Sequence, residues 1–394
     1  MYGRLSLNPK SQLLNPKLNG FPQKLITPEI LATFAGPLLE WYCANKRDLP
    51  WRQRQDDAYA VWVSEIMLQQ TQVATVIPYF ERWIERFPTI ESLASAPLED
   101  ALKLWAGLGY YARARNLHKA AQAVVEQHSG QIPSDSALLG SLPGIGRYTA
   151  GAIRSVSFNQ PAPIVDTNVI RVLSRVFALD GDPKSGPAQA ELWRLAEALI
   201  PEGEARDFNQ AVMELGATIC SPADPACDRC PLLSICIAGN SPDPTAWPQI
   251  PSGRATVKVT HCSAILREGD RYLIILRPPH GLWGGLWEFP RRVCNAGEDV
   301  VECAARAARE VVGVEPMIES RVGTVKHCVT HHAITLYGFD GRIESNTPAP
   351  LDCAEVRWVT LEELDRLPLS APQVLLVEAL RKQTQVNARQ GRLF

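Results

Sequence analysis

The 394-residue chain lacks any apolar run of the ~18 residues that a membrane-spanning helix needs. Its first 24 residues, MYGRLSLNPKSQLLNPKLNGFPQK, lack the apolar stretch of a secretory signal. We therefore expect a cytoplasmic protein with no membrane partner, and read residues 1–26 as a flexible N-terminal extension. An excess of one charge is lacking too: 40 Lys and Arg stand against 42 Asp and Glu, a net charge of −2. That excludes a general polybasic surface. It leaves room for a local basic face, because a surface field depends on arrangement and not on the sum. Internal repeats and low-complexity tracts are also missing. In a reducing compartment thiols stay free, so the ten cysteines need a reason other than disulfides.

The chain is too long for one average domain. From Thr27 to about Phe208 apolar residues recur three and four apart, with Pro or Gly between the segments. This predicts helices over 59–72, 98–104, 116–127, 149–158, 169–177 and 188–200. Pro37 leaves the start of the first helical stretch open. Four cysteines follow between Cys220 and Cys236, and then a proline-rich linker. Beyond it, 257–266 and 271–276 are rich in Val, Ile and Leu, and Glu268-Gly269-Asp270 reads as the tight turn between two strands. Residues 300–312 look helical, 332–339 and 356–359 extended, and 371–381 helical. The expected organisation is multidomain: an all-α region over 27–219, a cysteine loop over 220–236, a linker over 237–255 and an α+β domain over 256–394.

Cys220, Cys227, Cys230 and Cys236 give the pattern C-x6-C-x2-C-x5-C. Four reduced thiols in one short loop suit zinc or an iron–sulfur cluster. Zinc ribbons pair two C-x2-C knuckles across a longer loop. Only one such pair is present, which fits a compact cluster better. The other six cysteines, at positions 43, 262, 294, 303, 328 and 353, are scattered in sequence and read as ordinary packing residues.

LPGIGRYTA (142–150) joins two helical segments through a turn with two glycines. Gly144 and Gly146 allow positive φ and close approach of another backbone, and the next helix begins with free N–H groups. With Arg147 beside it, this turn can cradle a phosphate; the plainer reading is a simple helix connection. Glu65 has Val61, Trp62, Leu68 and Gln69 three and four residues away. A carboxyl group on that face should be desolvated and its pKa raised, as a general acid requires. Asp166 precedes a helix and by itself reads as an N-cap.

Taken together, LPGIGRYTA, VDTNVIRVLSR (165–175) and the cysteine spacing resemble the helix–hairpin–helix DNA glycosylases that carry an iron–sulfur loop. SEIMLQQTQV (64–73) and GLGYYARARNL (107–117) narrow the resemblance to the adenine DNA glycosylase (MutY) family. It implies a 4Fe–4S cluster on Cys220, Cys227, Cys230 and Cys236. It implies that Glu65 protonates adenine as general acid, that Asp166 stabilises the sugar cation, and that Asn168 orients Asp166 or the attacking water. Tyr148 stands where relatives resembling endonuclease III carry a lysine able to form a Schiff base, which implies base removal without efficient strand cleavage. Trp51 and Arg52 match a stretch lining the adenine pocket, and Gln70 and Tyr110 match residues that enter the duplex. For Tyr110, core packing is the competing reading. The implied partner is double-stranded DNA carrying A:8-oxoguanine or A:G mispairs, bound by a monomer.

GLWGGLWEFP (281–290), with the helix ending Arg309-Glu310-Val311-Val312-Gly313, resembles a Nudix fold. Glu310 is present, but Val312-Gly313 replaces the acidic pair, leaving too few hard oxygen ligands for metal-dependent pyrophosphate cleavage. The resemblance implies instead a domain that recognises 8-oxoguanine. Where the family carries Phe-Ser-His this chain has Val329-Thr330-His331. Thr330 keeps the hydroxyl and His331 the imidazole, while Val329 loses the aromatic ring. Three competing functions are weaker. Tyr148 opposes an endonuclease III-like glycosylase for oxidised pyrimidines. The eroded acidic helix opposes a Nudix pyrophosphohydrolase. The joint presence of Glu65 and Asp166 opposes a non-catalytic DNA-binding protein.

Overall fold

The computed structural model describes residues 28–251, 255–281, 283–329 and 331–390. The expected extension 1–26 and Thr330 lie outside the described residues. The chain divides into two compact units, Met1–Ser95 with Lys119–Ser252, and Ala96–His118 with Gly253–Phe394.

In chain order the helices of the first part are α1 (Pro28–Asn45), α2 (Ala58–Leu68), α3 (Val73–Arg86), α4 (Ile90–Ser95), α5 (Leu98–Trp105), α6 (Ala112–His128), α7 (Ser136–Ser141), α8 (Arg147–Ala152), α9 (Thr167–Val176), α10 (Gly186–Ala198) and α11 (Ala205–Thr218). The division between the units falls within α6. The helix expected over 59–72 is shorter. Asp57 caps α2 by accepting from the Tyr59 and Ala60 N–H groups, and the helix stops at Leu68 because Gln70 adopts a left-handed φ of 58°. The residues beyond it open α3, whose buried stripe is Val76, Phe80, Trp83 and Ile84. The helix expected over 149–158 is two pieces: α8 passes into a π-helical turn, Ile153–Ser157. The helical region also continues past Phe208, to Thr218 at the end of α11.

One core cluster of the first unit is built from α1, α9, α10 and α11. Phe34, Leu38 and Tyr42 pack with Val169, Val172, Leu173, Phe208, Val212 and Leu215. Phe34 stacks on Phe177 with ring centres 6.2 Å apart. The proline-rich segment is held to this unit through Trp247, whose carbonyl accepts from Arg175 Nε at 3.0 Å.

The second unit is a mixed sheet of β1 (Val257–Glu268), β2 (Arg271–Leu276), β3 (Trp287–Glu288), β4 (Arg291–Val293), β5 (Glu315–Val329), β6 (His332–Ser345) and β7 (Glu355–Thr360). Besides α5 and the first part of α6, its helices are α12 (Val300–Val312), α13 (Leu361–Leu364) and α14 (Ala371–Gln390). β1 runs parallel to β6, from Val257↔His332 to Leu266↔Gly341, and antiparallel to β4 and β2. Strand β5 has no counterpart in the sequence reading. Register shifts at Glu315/Pro316, Ile318/Ser320 and Arg321/Gly323 break the two-residue alternation that marks a strand. Within this unit Tyr111 of α5–α6 donates its hydroxyl to the Leu369 carbonyl at 2.8 Å.

Candidate active site and thiol loop

Glu65 of α2, Tyr148 at the start of α8, Asp166 and Asn168 at the start of α9, and Glu214 of α11 line one cavity of about 490 Å³ in the first unit. Trp51, Arg52 and Gln70 line the same cavity. That volume lies in the range of ordinary small-molecule sites.

Glu65 is 8 % exposed. Burial pushes its carboxyl up to about 7, opposed by the Tyr148 hydroxyl and reinforced by the charge of Asp166. Tyr148 donates to Glu65 Oε2 at 2.7 Å. Burial and the two carboxylates hold the phenol far above its usual range, so it stays a donor.

Asp166 does two jobs. Its Oδ1 accepts from the Val169 N–H at 2.7 Å, which caps α9, and its Oδ2 accepts from Asn168 Nδ2 at 2.8 Å. The N-cap and the cavity carboxylate are thus one group. Burial raises its carboxyl above the usual value, against the pull of those hydrogen bonds. Asn168 Oδ1 accepts from Arg171 Nη2 at 2.8 Å, and Arg171 Nε donates to the Cys220 carbonyl at 2.6 Å. A hydrogen-bonded chain therefore runs from Asp166 to the first cysteine of the thiol loop. Gly216 makes room for it, since a Cβ there would stand 2.6 Å from Asn168 Cβ.

Glu214 was not found from the sequence. It accepts from Arg47 Nε at 2.7 Å and Nη2 at 2.9 Å, and from Arg52 Nη2 at 2.7 Å. Burial alone would raise its carboxyl, but the two guanidiniums outweigh it and hold the group at about 2. Arg52 is thus fixed by a buried carboxylate, and Trp51 is fixed edge-on to Phe80 with ring centres 5.6 Å apart. The signal was the continuation of the helical pattern beyond Phe208, which puts Glu214 on the face that lines the cavity.

Gln70 and Tyr110 both hold left-handed backbone, φ 58° and 50°. For residues other than glycine this costs of order 1 kcal/mol or more and clusters at functional sites. Tyr110 follows Gly109, also left-handed, and the residue is 46 % exposed, which disfavours the core-packing reading. It belongs to the second unit.

In the 142–150 turn Gly144 has φ 78° and Gly146 precedes α8 without a side-chain cap. Arg147 lays its guanidinium over the Trp193 ring, 4.0 Å from its centre.

Cys220, Cys227, Cys230 and Cys236 line one small cavity with Arg175 and Gly239. Arg175 Nη1 donates to Cys220 Sγ at 3.3 Å, and the Gly239 N–H to Cys236 Sγ at 3.2 Å. Burial, opposed by the Leu232 N–H and reinforced by the facing thiols, pushes the Cys230 thiol up to about 12. Four thiols on one cavity, with donors aimed at two of them, fit a thiophilic metal group.

In the second unit Val329 and His332 form the last pair of β5 and β6, and His331 lies in the turn beside them. The His331 ring centre lies 4.1 Å from that of His332. Glu310 of α12 accepts from Arg292 Nε at 2.8 Å and Arg306 Nη1 at 3.3 Å.

Residues 63–198 match the family of HhH-GPD superfamily base excision DNA repair proteins, and residues 261–379 match the Nudix domain. The adenine DNA glycosylase of Homo sapiens is 37 % identical over 421 residues, covering 93 % of this chain and 77 % of that protein. That of Rattus norvegicus is 38 % identical, covering 86 % and 76 %. That of Buchnera aphidicola subsp. Schizaphis graminum is 38 % identical, covering 65 % and 74 %. The chain belongs to the adenine DNA glycosylase family, DNA glycosylases of base excision repair, with a helix–hairpin–helix unit followed by a Nudix-like domain.

Proposed function

We propose that the protein hydrolyses the N-glycosidic bond of adenine mispaired with 8-oxoguanine or guanine in double-stranded DNA and leaves an abasic site. The observation that carries this reading is the pairing of Glu65 and Asp166 on one cavity, each in a different electrostatic setting. A base in a duplex is out of reach of such a cavity, so adenine must be turned out of the stack. Glu65, about half protonated near pH 7, donates its proton to N7 of adenine and makes the base a better leaving group. Tyr148 holds Glu65 Oε2 in place while this happens. As the bond stretches, positive charge builds on the sugar. Asp166, ionised and held by Asn168 and the Val169 N–H, stabilises that charge. Water completes the hydrolysis. Tyr148 supplies a phenol where a Schiff base needs an amine, so strand cleavage does not follow efficiently.

Trp51 and Arg52 shape the adenine pocket, and Gln70 and Tyr110 fill the duplex where the base has left. The turn of Gly144, Gly146 and Arg147 holds backbone phosphate, giving register without reading sequence. Cys220, Cys227, Cys230 and Cys236 would hold a 4Fe–4S cluster. Such a group cross-links the loop, and its binding free energy becomes folding free energy. Thr330 and His331 read the oxidised guanine.

The test offers labelled duplexes with A opposite 8-oxoguanine, A opposite G, and thymine glycol opposite A. The reading requires alkali-dependent breaks on the first two. Alkali-independent breaks, or cleavage at thymine glycol, would replace it with an endonuclease III-like activity.

A further inference from the structure

A second convergence of thiols lies in the other unit, among cysteines that the sequence leaves scattered. Cys262 is on β1, Cys294 follows β4 directly, and Cys303 is in α12. Their three Sγ atoms all lie within 4.8 Å of one another. The sulfurs of Cys262 and Cys294 are 3.3 Å apart. Cys262 and Cys303 are fully buried, and Cys294 is half-buried, so the group opens toward solvent on the Cys294 side.

The plainest account is packing, since Cys262 and Cys303 form a small core with Ala304 and Phe339. Two features go beyond it. First, the register selects against a disulfide. Cys262 pairs with Arg292 across β1 and β4, and the Cys294 N–H donates to the Thr260 carbonyl at 2.9 Å. Cys262 and Cys294 are therefore diagonal neighbours. Such positions stand about 7–8 Å apart at Cα, beyond the about 4.4–6.8 Å that a disulfide spans. A metal ion has no such restriction. At about 2.3 Å from each sulfur in tetrahedral geometry, it needs sulfurs roughly 3.8 Å apart. Three sulfurs within 4.8 Å, with one pair at 3.3 Å, reach that spacing by small side-chain shifts.

Second, a charge partner is already in place. Arg306 Nη2 lies 3.9 Å from Cys303 Sγ. The same guanidinium donates to Glu298 Oε1 at 2.7 Å and to the Val293 carbonyl at 2.8 Å, which fixes it beside Cys294. Three thiolates around a divalent ion leave one negative charge; the guanidinium, which also pairs with Glu298 and Glu310, stands beside it as a fixed outer donor of the kind that metal ligands commonly have.

We propose that Cys262, Cys294 and Cys303 form a three-thiolate zinc site in the Nudix-like unit, separate from the 220–236 loop. A sulfur-only donor set selects thiophilic ions such as zinc. Each thiol releases one proton to solvent and donates a lone pair to zinc, with no change of oxidation state. The fourth position faces solvent beside Cys294. The ion would tie β1, the end of β4 and α12 together.

The experiment uses the full-length holoprotein. Zinc is added and free metal removed, then zinc and iron are measured in the wild type and in Cys294→Ser. Cys294 is the half-buried member, so its replacement disturbs the core least. The expected result is about one zinc per chain in the wild type, lost in the variant, with iron equal in both. Separately, alkylation of the wild type is followed by mass spectrometry, a readout independent of any variant's folding. Zinc should slow labelling of Cys294 at least tenfold and leave Cys43 unchanged. Equal zinc in both proteins, no zinc in the wild type, or unprotected Cys294 would overturn the proposal and leave the three thiols as core packing.

Discussion

Tyr148 donates its hydroxyl to Glu65 Oε2 at 2.7 Å, joining the phenol proposed to preclude Schiff-base chemistry to the candidate general acid. The bond lowers the carboxyl that burial raises, and the outcome is a group near 7. The rate of adenine release should fall as pH rises through about 7, because the proton to be given is lost. Tyr148→Phe removes the lowering influence, so the basic limb should move to higher pH. A single-turnover pH profile of both proteins checks this; coincident basic limbs would separate Tyr148 from the acid.

The same carboxyl links stability to pH. Its folded pKa, about 7, lies above the ordinary 4.5. Its contribution is therefore fully present below pH 4.5 and is lost as pH rises through 7, a difference of roughly 3 kcal/mol. Glu65→Gln should remove that dependence. Urea denaturation at pH 5 and pH 8 should show the variant gaining on the wild type at the higher pH.

Tyr148→Lys should create borohydride-trappable cross-links to DNA, because it places an amine where a Schiff base can form. Trapping assays on the wild type and variant decide it; equal trapping by the wild type contradicts the role given to the phenol.

Gly216→Ala should destabilise the protein by about 1–3 kcal/mol, since the new Cβ would meet Asn168 Cβ at 2.6 Å and Cα at 3.0 Å. Relief of that clash displaces Asn168 from Asp166, so adenine release should slow by tenfold or more. Denaturation and single-turnover rates measure the two effects.

How much of this was legible in the sequence depends on whether a local pattern carried it. The limits of α12 and β2 follow from uninterrupted periodicity and agree with the expected 300–312 and 271–276. β5 was invisible because its bulges scramble the alternation. Gln70 ends α2 through a backbone angle that no composition signals, since glutamine is an ordinary helix former. Glu65 was legible from its apolar flanks. Glu214 was not, because its environment comes from Arg47 and Arg52, more than 160 residues earlier. The Cys262, Cys294 and Cys303 group is likewise made by strand register and a helix packed on it, neither of which spacing alone discloses.

Thr330→Ala should lower the preference for A opposite 8-oxoguanine over A opposite G. Oxidation turns guanine N7 from acceptor to donor. A hydroxyl accepting that proton would face a lone pair on plain guanine, a mismatch of about 1–3 kcal/mol. Loss of up to about tenfold in preference is expected, since backbone groups share the reading. Equal slowing on both duplexes would instead make the second unit a general DNA clamp.

The central claim is that Glu65 supplies the proton that releases adenine, and the most direct measurement is single-turnover adenine release by Glu65→Gln beside its affinity for the same duplex. The amide keeps the shape of the carboxyl but has no proton of suitable acidity. We predict release slowed by at least about 10²–10⁴-fold, with binding to the A:8-oxoguanine duplex retained. Near-normal release by this variant would contradict the account.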